Sequence, residues 1–394
     1  FHPTTWMQMG YEILFFWMAR MILMSTYTLD EIPFKDVYIH GMLRDKDGRK
    51  FSKSLGNGID PIEVIEKYSA DALRFSLISG VTPGNDSRFY EEKVEAAQRL
   101  VNKLWNISRY VLTSVDEVHH GQAFSELELQ TTADKWILAQ LVRLEEEVSL
   151  DMQKADFSQA SEKLRDFTWN QFADWYLEIA KVQRQDGALK ASTDDILVYV
   201  LEHLITYWHP IMPFVTEVIW KHIDEGELLM AHAWPIMRTI DLDLDSELTM
   251  ERLQEVVSAI RNLRSEYEVP PKKKINVTIV GSVLEGEIAA IRFLANIEEC
   301  TFANSAPEGE FASAIAGEAQ VFVSLEGLVD KDKERTRLDK EKEETGAYIK
   351  SLEKKLSNKQ FTSKAPAQIV QTMETNKQEA LSRLQALEER LTNL

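Results

Sequence analysis

Two lysines and two serines fall within one five-residue stretch, Lys50-Phe51-Ser52-Lys53-Ser54, which runs on into Leu55-Gly56-Asn57. Ammonium groups on a glycine-flanked loop can neutralise the charge that builds on a triphosphate as pyrophosphate leaves. Fixed charge placed where charge develops is the main way phosphate-transfer sites lower barriers. A short Lys/Ser pattern is also a common solvated loop, so its meaning depends on what carries it. A second group of interest is Ile13 and Trp17. Residues four apart share one helical face, and these two either wall a small apolar pocket or pack on a sheet.

The surrounding elements decide where such groups sit. Trp6 to Met9 reads as a buried strand ended by Gly10, Glu12 to Met24 as a strongly apolar helix, and Asp36 to Leu43 as a second strand. Strand–helix–strand at this spacing predicts a parallel sheet with a right-handed crossover. The polar loop Arg44 to Gly58 then leaves the carboxyl end of a parallel strand, where ligands bind in open α/β sheets. Asp60-Pro61 opens the next helix, with Asp60 as N-cap and Pro61 at the first helical position, and another helix covers Ala70 to Ser79.

Residues 90–222 read as a helical bundle. Val94, Ala97, Val101, Leu104 and Trp105, extended by Ile107, Val111 and Leu112, make one apolar stripe; Trp136, Leu138, Leu141, Leu144 and Val148 make another. The aromatic series Trp169, Phe172, Trp175 and Tyr176 reads as bundle core. Residues 241–325 read as a small α/β unit, with a helix over Met250 to Tyr267 and strands at Ile275 to Val280 and Gln320 to Leu325. From Asp330, Leu338, Thr345, Ile349, Leu352 and Leu356 follow heptad spacing. Ile369 to Leu394 resumes it after a break, which predicts an antiparallel coiled-coil hairpin.

Composition narrows the class. The 394 residues carry 45 basic and 64 acidic side chains, a net of −19. Residues from Asp330 onward carry 14 basic and 12 acidic groups, so the acidic surplus lies wholly in the body. An acidic body excludes indiscriminate nucleic-acid binding, because that affinity comes from Lys and Arg neutralising phosphates. Local basic tracks remain, at Lys272-Lys273-Lys274 and in the lysine-rich tail. One cysteine, Cys300, rules out an internal disulfide and fits a reduced, cytoplasmic compartment. No apolar run approaches the roughly 20 residues that span a bilayer, and the histidines lack metal-ligand spacing.

The stretch from His40-Gly41-Met42-Leu43-Arg44-Asp45 through Gly48 to Asn57, then Asp60-Pro61 and Tyr68 to Phe75, resembles the class I aminoacyl-tRNA synthetases, and within them the valine-specific family. Gly10 to Met21, Asn102 to Asn106, Asp174 to Glu178 and His209 to Phe214 resemble it too, as does the tail. Phe51 stands where the family's second signature usually has Met. The resemblance implies a multidomain α/β plus all-α chain. Residues 1–88 would be the C-terminal half of a Rossmann-like catalytic fold with its stem-contact region, and 89–240 an α-helical anticodon-binding bundle. Residues 241–328 would be a small α/β junction domain, and 329–394 a coiled-coil tRNA-binding arm.

It also implies a reaction. Valine's carboxylate attacks the α-phosphate of ATP, which brings Mg²⁺ with it, and the 3′-terminal ribose hydroxyl of tRNA(Val) then takes the acyl group. By the family pattern, Lys53 contacts ATP phosphates with Lys50 in support and with Ser52 and Ser54 on the same loop, while His40, Gly41 and Met42 lie near the adenine. Ile13 and Trp17 face the amino acid, and Glu12 stands where the family commonly has Asp. A small apolar pocket separates valine from a neighbour one methylene larger by only ~1–3 kcal/mol, which is why the family carries an editing domain.

For tRNA, Arg88, Arg109 and Tyr110 fall at matching positions, Tyr110 serving either to stack on a base or to pack in the core; Lys354, Lys355, Lys359 and Lys364 cluster towards the hairpin tip. The family's His-x-Gly-His first signature and its editing insertion are not in the sequence, so the expectation is a chain inactive alone, prone to self-association through its apolar Ile13–Met24 helix and an exposed strand edge, and monomeric only as a longer enzyme. Two rivals stand beside this reading: a non-catalytic tRNA-binding module, and a sister ligase for isoleucine or leucine.

Overall fold

The computed structural model describes residues 2–235, 243–281, 284–309, 311–324, 331–357, 372–378, 380, 381 and 384, with the backbone alone at Lys53 and at 331–338, 340, 341 and 344. The chain divides into two units, Phe1–Met250 and Glu251–Leu394.

The first unit begins with β1 (Thr4–Gly10), which runs parallel to β2 (Phe34–His40) in the register Thr4↔Phe34 to Gly10↔His40. Between them the chain winds first as a 3₁₀ turn over Tyr11–Ile13, then as a π-turn segment over Leu14–Met18, and only then as α1 (Ala19–Leu29). The predicted single α-helix from Glu12 is therefore three differently wound pieces. Its entry at Gly10 offers no side-chain cap for the first amide groups. The predicted second strand also splits, because β3 (Leu43–Arg44) pairs in parallel with β4 (Ser87–Arg88) instead of continuing β2. Gly41 explains the break: a Cβ there would lie 1.8 Å from the Asn85 carbonyl oxygen, so the 85–86 backbone crosses at a distance only glycine permits.

α2 (Pro61–Lys67) is capped as expected by Asp60, whose carboxylate accepts from the Ile62 amide at 2.9 Å. Ser69 caps α3 (Ala70–Ile78), accepting from the Ala72 amide at 3.1 Å. The bundle follows as α4 (Glu91–Ser114), α5 (Thr132–Gln153), α6 (Phe157–Asp166), a π-wound stretch Phe167–Tyr176, α7 (Leu177–Gln183), α8 (Lys190–Trp208) and α9 (Pro213–Trp220). Val94, Ala97, Val101, Leu104, Ile107 and Val111 bury the predicted face of α4, but Trp105, one residue round from Leu104, is exposed. Phe172 and Tyr176 are core, whereas Trp169 and Trp175 are half-buried. Trp208 and Trp220 are fully buried, and their indole N–H groups donate to Thr168 Oγ1 and the Glu227 carbonyl, both at 2.9 Å. Each buried ring keeps its polar atom bonded, as burial of Trp requires.

The break at His209-Pro210-Ile211-Met212-Pro213 is held from α3. Asp71, buried, accepts from the Phe214 and Val215 amides at 3.2 and 2.6 Å and so caps α9 across the chain. Arg74 donates to the Ile211 and Pro210 carbonyls, both at 3.0 Å. Burial pushes the Asp71 carboxyl above its ordinary range, opposed by those two amide donors.

The second unit contains most of α10 (Leu244–Glu266), which starts six residues before the predicted Met250 because Asp243 accepts from the Ser246 amide at 3.1 Å and caps it there. β5 (Ile275–Val280), α11 (Ile288–Leu294), β6 (Ile297–Ala303), β7 (Phe311–Ala316) and β8 (Ala319–Ser324) form a sheet in the order β6-β5-β8-β7. β5 and β6 are parallel and the other pairs antiparallel. In α12 (Lys331–Leu356), Thr345, Ile349 and Leu352 are buried on the predicted stripe, and Lys377 of the returning helical segment meets Glu353 at 2.9 Å. The side chains at Leu338, Ile369, Leu387, Leu391 and Leu394 lie outside the described residues.

Candidate functional site

The Lys50–Asn57 loop is ordered by two polar side chains that flank it. Asp45, buried at the start of the short hairpin closed by an antiparallel Arg44–Lys50 bridge, accepts from the Arg49 amide and Nε at 2.8 Å each, from the Asp47 amide at 3.1 Å and from Asn57 Nδ2 at 2.9 Å. The Asn57 hydrogen bond, with the Arg49 amide and guanidinium, holds the Asp45 carboxyl down at about 2. Asn57 in turn accepts from the Ser52 amide at 2.9 Å and donates to the Lys50 carbonyl at 3.3 Å, so it ties both ends of the loop to one side chain. Ser52 and Ser54 share a hydroxyl–hydroxyl hydrogen bond at 2.7 Å. Lys53 opens the 3₁₀ turn Lys53–Leu55, and its side chain lies outside the described residues.

Lys50 and Glu12, predicted on separate grounds, meet: Lys50 Nζ lies 2.8 and 3.2 Å from the Glu12 carboxylate oxygens. The pair joins the loop to the turn after β1. Both groups are partly solvated, which keeps such a pair weak and exchangeable for a better anion.

Asp86 organises the floor. It accepts from the Met42 amide at 2.7 Å and the Tyr11 hydroxyl at 3.0 Å, and pairs with Arg44. The Met42 amide and Arg44 lower its carboxyl below the ordinary value. His40 is half-buried, with Nδ1 bonded to the Gly41 carbonyl at 2.6 Å. His40, Gly41 and Met42 thus form one short segment fixed by Asp86, next to the loop held by Asp45 and Asn57. Sequence reasoning did not single out Asp45, Asn57 or Asp86 as site residues. Asp45 and Asn57 lay inside the motif stretch, but nothing in it marked them as the residues that hold the loop. Asp86 lies 44 residues from Met42 and carried no local signal.

Ile13 and Trp17 are 46% and 54% exposed and face solvent with Phe15 and Phe16. Arg88 is exposed, with its guanidinium about one van der Waals contact from where a Gly48 Cβ would be. In the bundle, Arg109 is exposed and Tyr110 half-buried, with Lys181 Nζ 5.3 Å from its ring centroid, so one ring face already carries a cation. Lys354 and Lys355 are exposed in the last turn of α12, while Lys359 and Lys364 lie outside the described residues. Among the described residues no three His, Cys, Asp or Glu side chains are grouped to hold a metal, and no helix is long and apolar enough to cross a membrane.

Three family profiles match along the chain: tRNA synthetases class I (I, L, M and V) over residues 1–90, the anticodon-binding domain of tRNA ligase over 134–279, and the valyl tRNA synthetase tRNA binding arm over 330–394. Together with the clamped loop, they make the chain similar, segment by segment, to the class I tRNA synthetases. Within that class it is similar along its whole length to valine–tRNA ligases, 41% identical to those of Bacillus cereus (strain ATCC 10987) and Clostridium acetobutylicum. The alignment takes in 100% of this chain and 46% of each relative, so the chain spans about half the length of the curated relatives it matches. A solved Agrobacterium radiobacter K84 LeuRS–tRNA–LeuAMS complex is 20% identical over 70% of this chain and 36% of that one, with a TM-score of 0.49.

Proposed function

We propose that this chain supplies the second ATP-signature loop and the tRNA-binding parts of an enzyme that activates valine with ATP and transfers it to tRNA(Val). The observation that carries the reading is the loop at 50–57, held at both ends by Asn57 and anchored on Asp45, inside a chain similar throughout to valine–tRNA ligases. On this reading residues 1–88 are the second half of a Rossmann-like nucleotide fold, 89–240 the anticodon-binding bundle, 241–328 a junction domain and 329–394 the tRNA arm. ATP enters with its Mg²⁺. The valine carboxylate attacks the α-phosphate, pyrophosphate leaves towards Lys53 and Lys50, and the tRNA ribose hydroxyl then takes the acyl group and releases AMP. No enzyme-bound covalent intermediate is involved, so the residues position groups and stabilise charge. Release of Lys50 from Glu12 is the local step that frees an ammonium for the phosphates. The reaction is cytoplasmic.

The exposed apolar surface of Ile13–Met24 supports two further parts of the reading: the chain by itself is inactive, and it self-associates in sedimentation. The test is valine-dependent ATP–pyrophosphate exchange. No exchange by the 394-residue chain, and exchange once a relative's amino-terminal half is added, is the expected pattern. Robust exchange by the chain alone contradicts it, and isoleucine- or leucine-dependent exchange in the completed enzyme favours a sister ligase.

A further inference from the structure

Lys272-Lys273-Lys274 is the only run of three consecutive basic residues in a chain of net charge −19. The run sits on the turn between α10 and β5, and all three side chains are exposed. What lies beneath it is unusual. Arg264, only 8% exposed, sends its guanidinium under the turn, where Nη2 donates to the Lys273, Pro270 and Pro271 carbonyls at 2.8, 3.1 and 3.3 Å. Its Nη1 donates to the Asn296 carbonyl at 3.3 Å. Asn296 Nδ2 donates to the same Pro271 carbonyl at 2.7 Å and to that of Lys273 at 3.4 Å. Among the described residues no carboxylate pairs with Arg264, and desolvation alone lowers its affinity for the proton.

This arrangement fixes the backbone and directs its charge. The carbonyls point inward to Arg264 and Asn296, the two prolines stiffen the turn, and the three exposed lysine side chains lie over a buried guanidinium that no carboxylate among the described residues pairs with. The carboxylates nearest in sequence and pairing are Glu268 on the turn and Glu298 on β6; Lys274 meets Glu298 at 3.2 Å, both more than half exposed. A pair so solvated yields readily to a stronger anion. Lysines are point charges without the planar fork that reads base edges, so the ligand such a turn suits is a phosphate backbone, not a particular base.

We propose that the Lys272–Lys274 turn, held by Arg264 and Asn296, is a sequence-independent contact for the phosphate backbone of the bound RNA. The proposal rests on the tRNA-binding reading above. It predicts that the turn contributes to affinity and to its salt dependence while leaving discrimination between tRNAs unchanged.

The test is a salt titration of binding between the full 394-residue chain and a tRNA(Val) transcript, with unmodified protein, with Lys272→Gln/Lys273→Gln/Lys274→Gln, and with the corresponding triple Lys→Arg variant. Each phosphate contact contributes about 0.9 to the slope of log K against log salt on a duplex. The glutamine variant is expected to lose roughly 2–3 from the slope and to bind at least tenfold more weakly at low salt, with an unchanged melting curve because the side chains are exposed. The arginine variant is expected to keep the slope. An unchanged slope in the glutamine variant overturns this proposal alone, and so does loss of binding to phosphatidylserine vesicles in place of RNA. No binding of tRNA by the unmodified chain overturns the functional reading together with it.

Discussion

Phe167, Phe172, Tyr176 and Trp208 in the helical bundle are at most 1% exposed, whereas Phe15 and Tyr27 between β1 and β2 are 74% and 90% exposed. The same residue types thus have opposite fates in two parts of one unit. The bundle closes its own core: six helices and a π-wound stretch supply apolar faces to one another, and some buried polar atoms find partners within it, as when the Tyr176 hydroxyl donates to Asp134 at 2.8 Å, although the buried Tyr207 hydroxyl has none among the described residues. The region around the 50–57 loop has few buried side chains. Its order comes from carboxylates and an amide, Asp45, Asp86 and Asn57, each bonded to backbone and to other side chains. A bundle stabilised by burial can stand alone. A loop stabilised by polar clamps can be precise at its backbone while the apolar surface beside it still lacks a partner.

The strongest way to break this contrast is truncation on each side. Trp208→Ala removes a ring that packs edge-on against Phe75, 5.6 Å between centroids, and deletes the bond to Thr168. It is expected to cost about 3–5 kcal/mol in denaturant unfolding, as large aromatic deletions in cores do. Phe16→Ser, at a side chain 60% exposed, is expected to change stability by less than about 0.5 kcal/mol and to reduce self-association in sedimentation. Equal destabilisation by both substitutions would erase the distinction between the two regions.

A smaller, local effect sharpens it. Asn57→Ala deletes the side chain that accepts from Ser52 and donates to Asp45 and Lys50, and is expected to raise amide exchange at Ser52 by about tenfold, the loss of one good hydrogen bond, with the bundle's protection unchanged. Loss of protection spreading into α8 would mean that loop and bundle share one cooperative unit.

The smallest effect is set by pH. Asp45 titrates at about 2 in the folded protein, below the ordinary 3.8, so the unfolded chain takes up the proton first. Its contribution is therefore fully present above pH 4 and is lost as pH falls from about 4 to 2. The protection of the Arg49 amide relative to its intrinsic exchange rate, its N–H donating to Asp45 Oδ1, should hold at pH 5 and fall through that window. Asp45→Asn should remove that pH dependence.

How far each region could be read in advance follows the same division. The stripes of α4 and α5 were legible because a 3.6-residue period is a local property, and burial of Leu104, Leu141 and Val148 follows it. Trp105 was misplaced because adjacency to Leu104 in sequence puts it a hundred degrees away on the helix. The second strand was drawn too long because the chain that crosses Gly41 comes from Asn85, and no local pattern announces a crossing from so far away. The lysine–serine motif identified the loop but not what holds it. Asp45 and Asn57 act through hydrogen bonds that only the folded hairpin creates, and Asp86 reaches Met42 from a different loop. The Glu12–Lys50 pair joins two residues named for separate roles, and nothing in their spacing foretold it.

The central claim is that the loop clamped by Asn57 presents Lys53 to the diphosphate that leaves ATP. The direct measurement is the rate of valine-dependent ATP–pyrophosphate exchange by the chain completed with a relative's amino-terminal half, with and without Lys53→Ala. The account predicts a fall of about 10²–10³-fold, the usual cost of removing one preorganised charge-stabilising donor, with the melting curve unchanged. Exchange at the unsubstituted rate would contradict it.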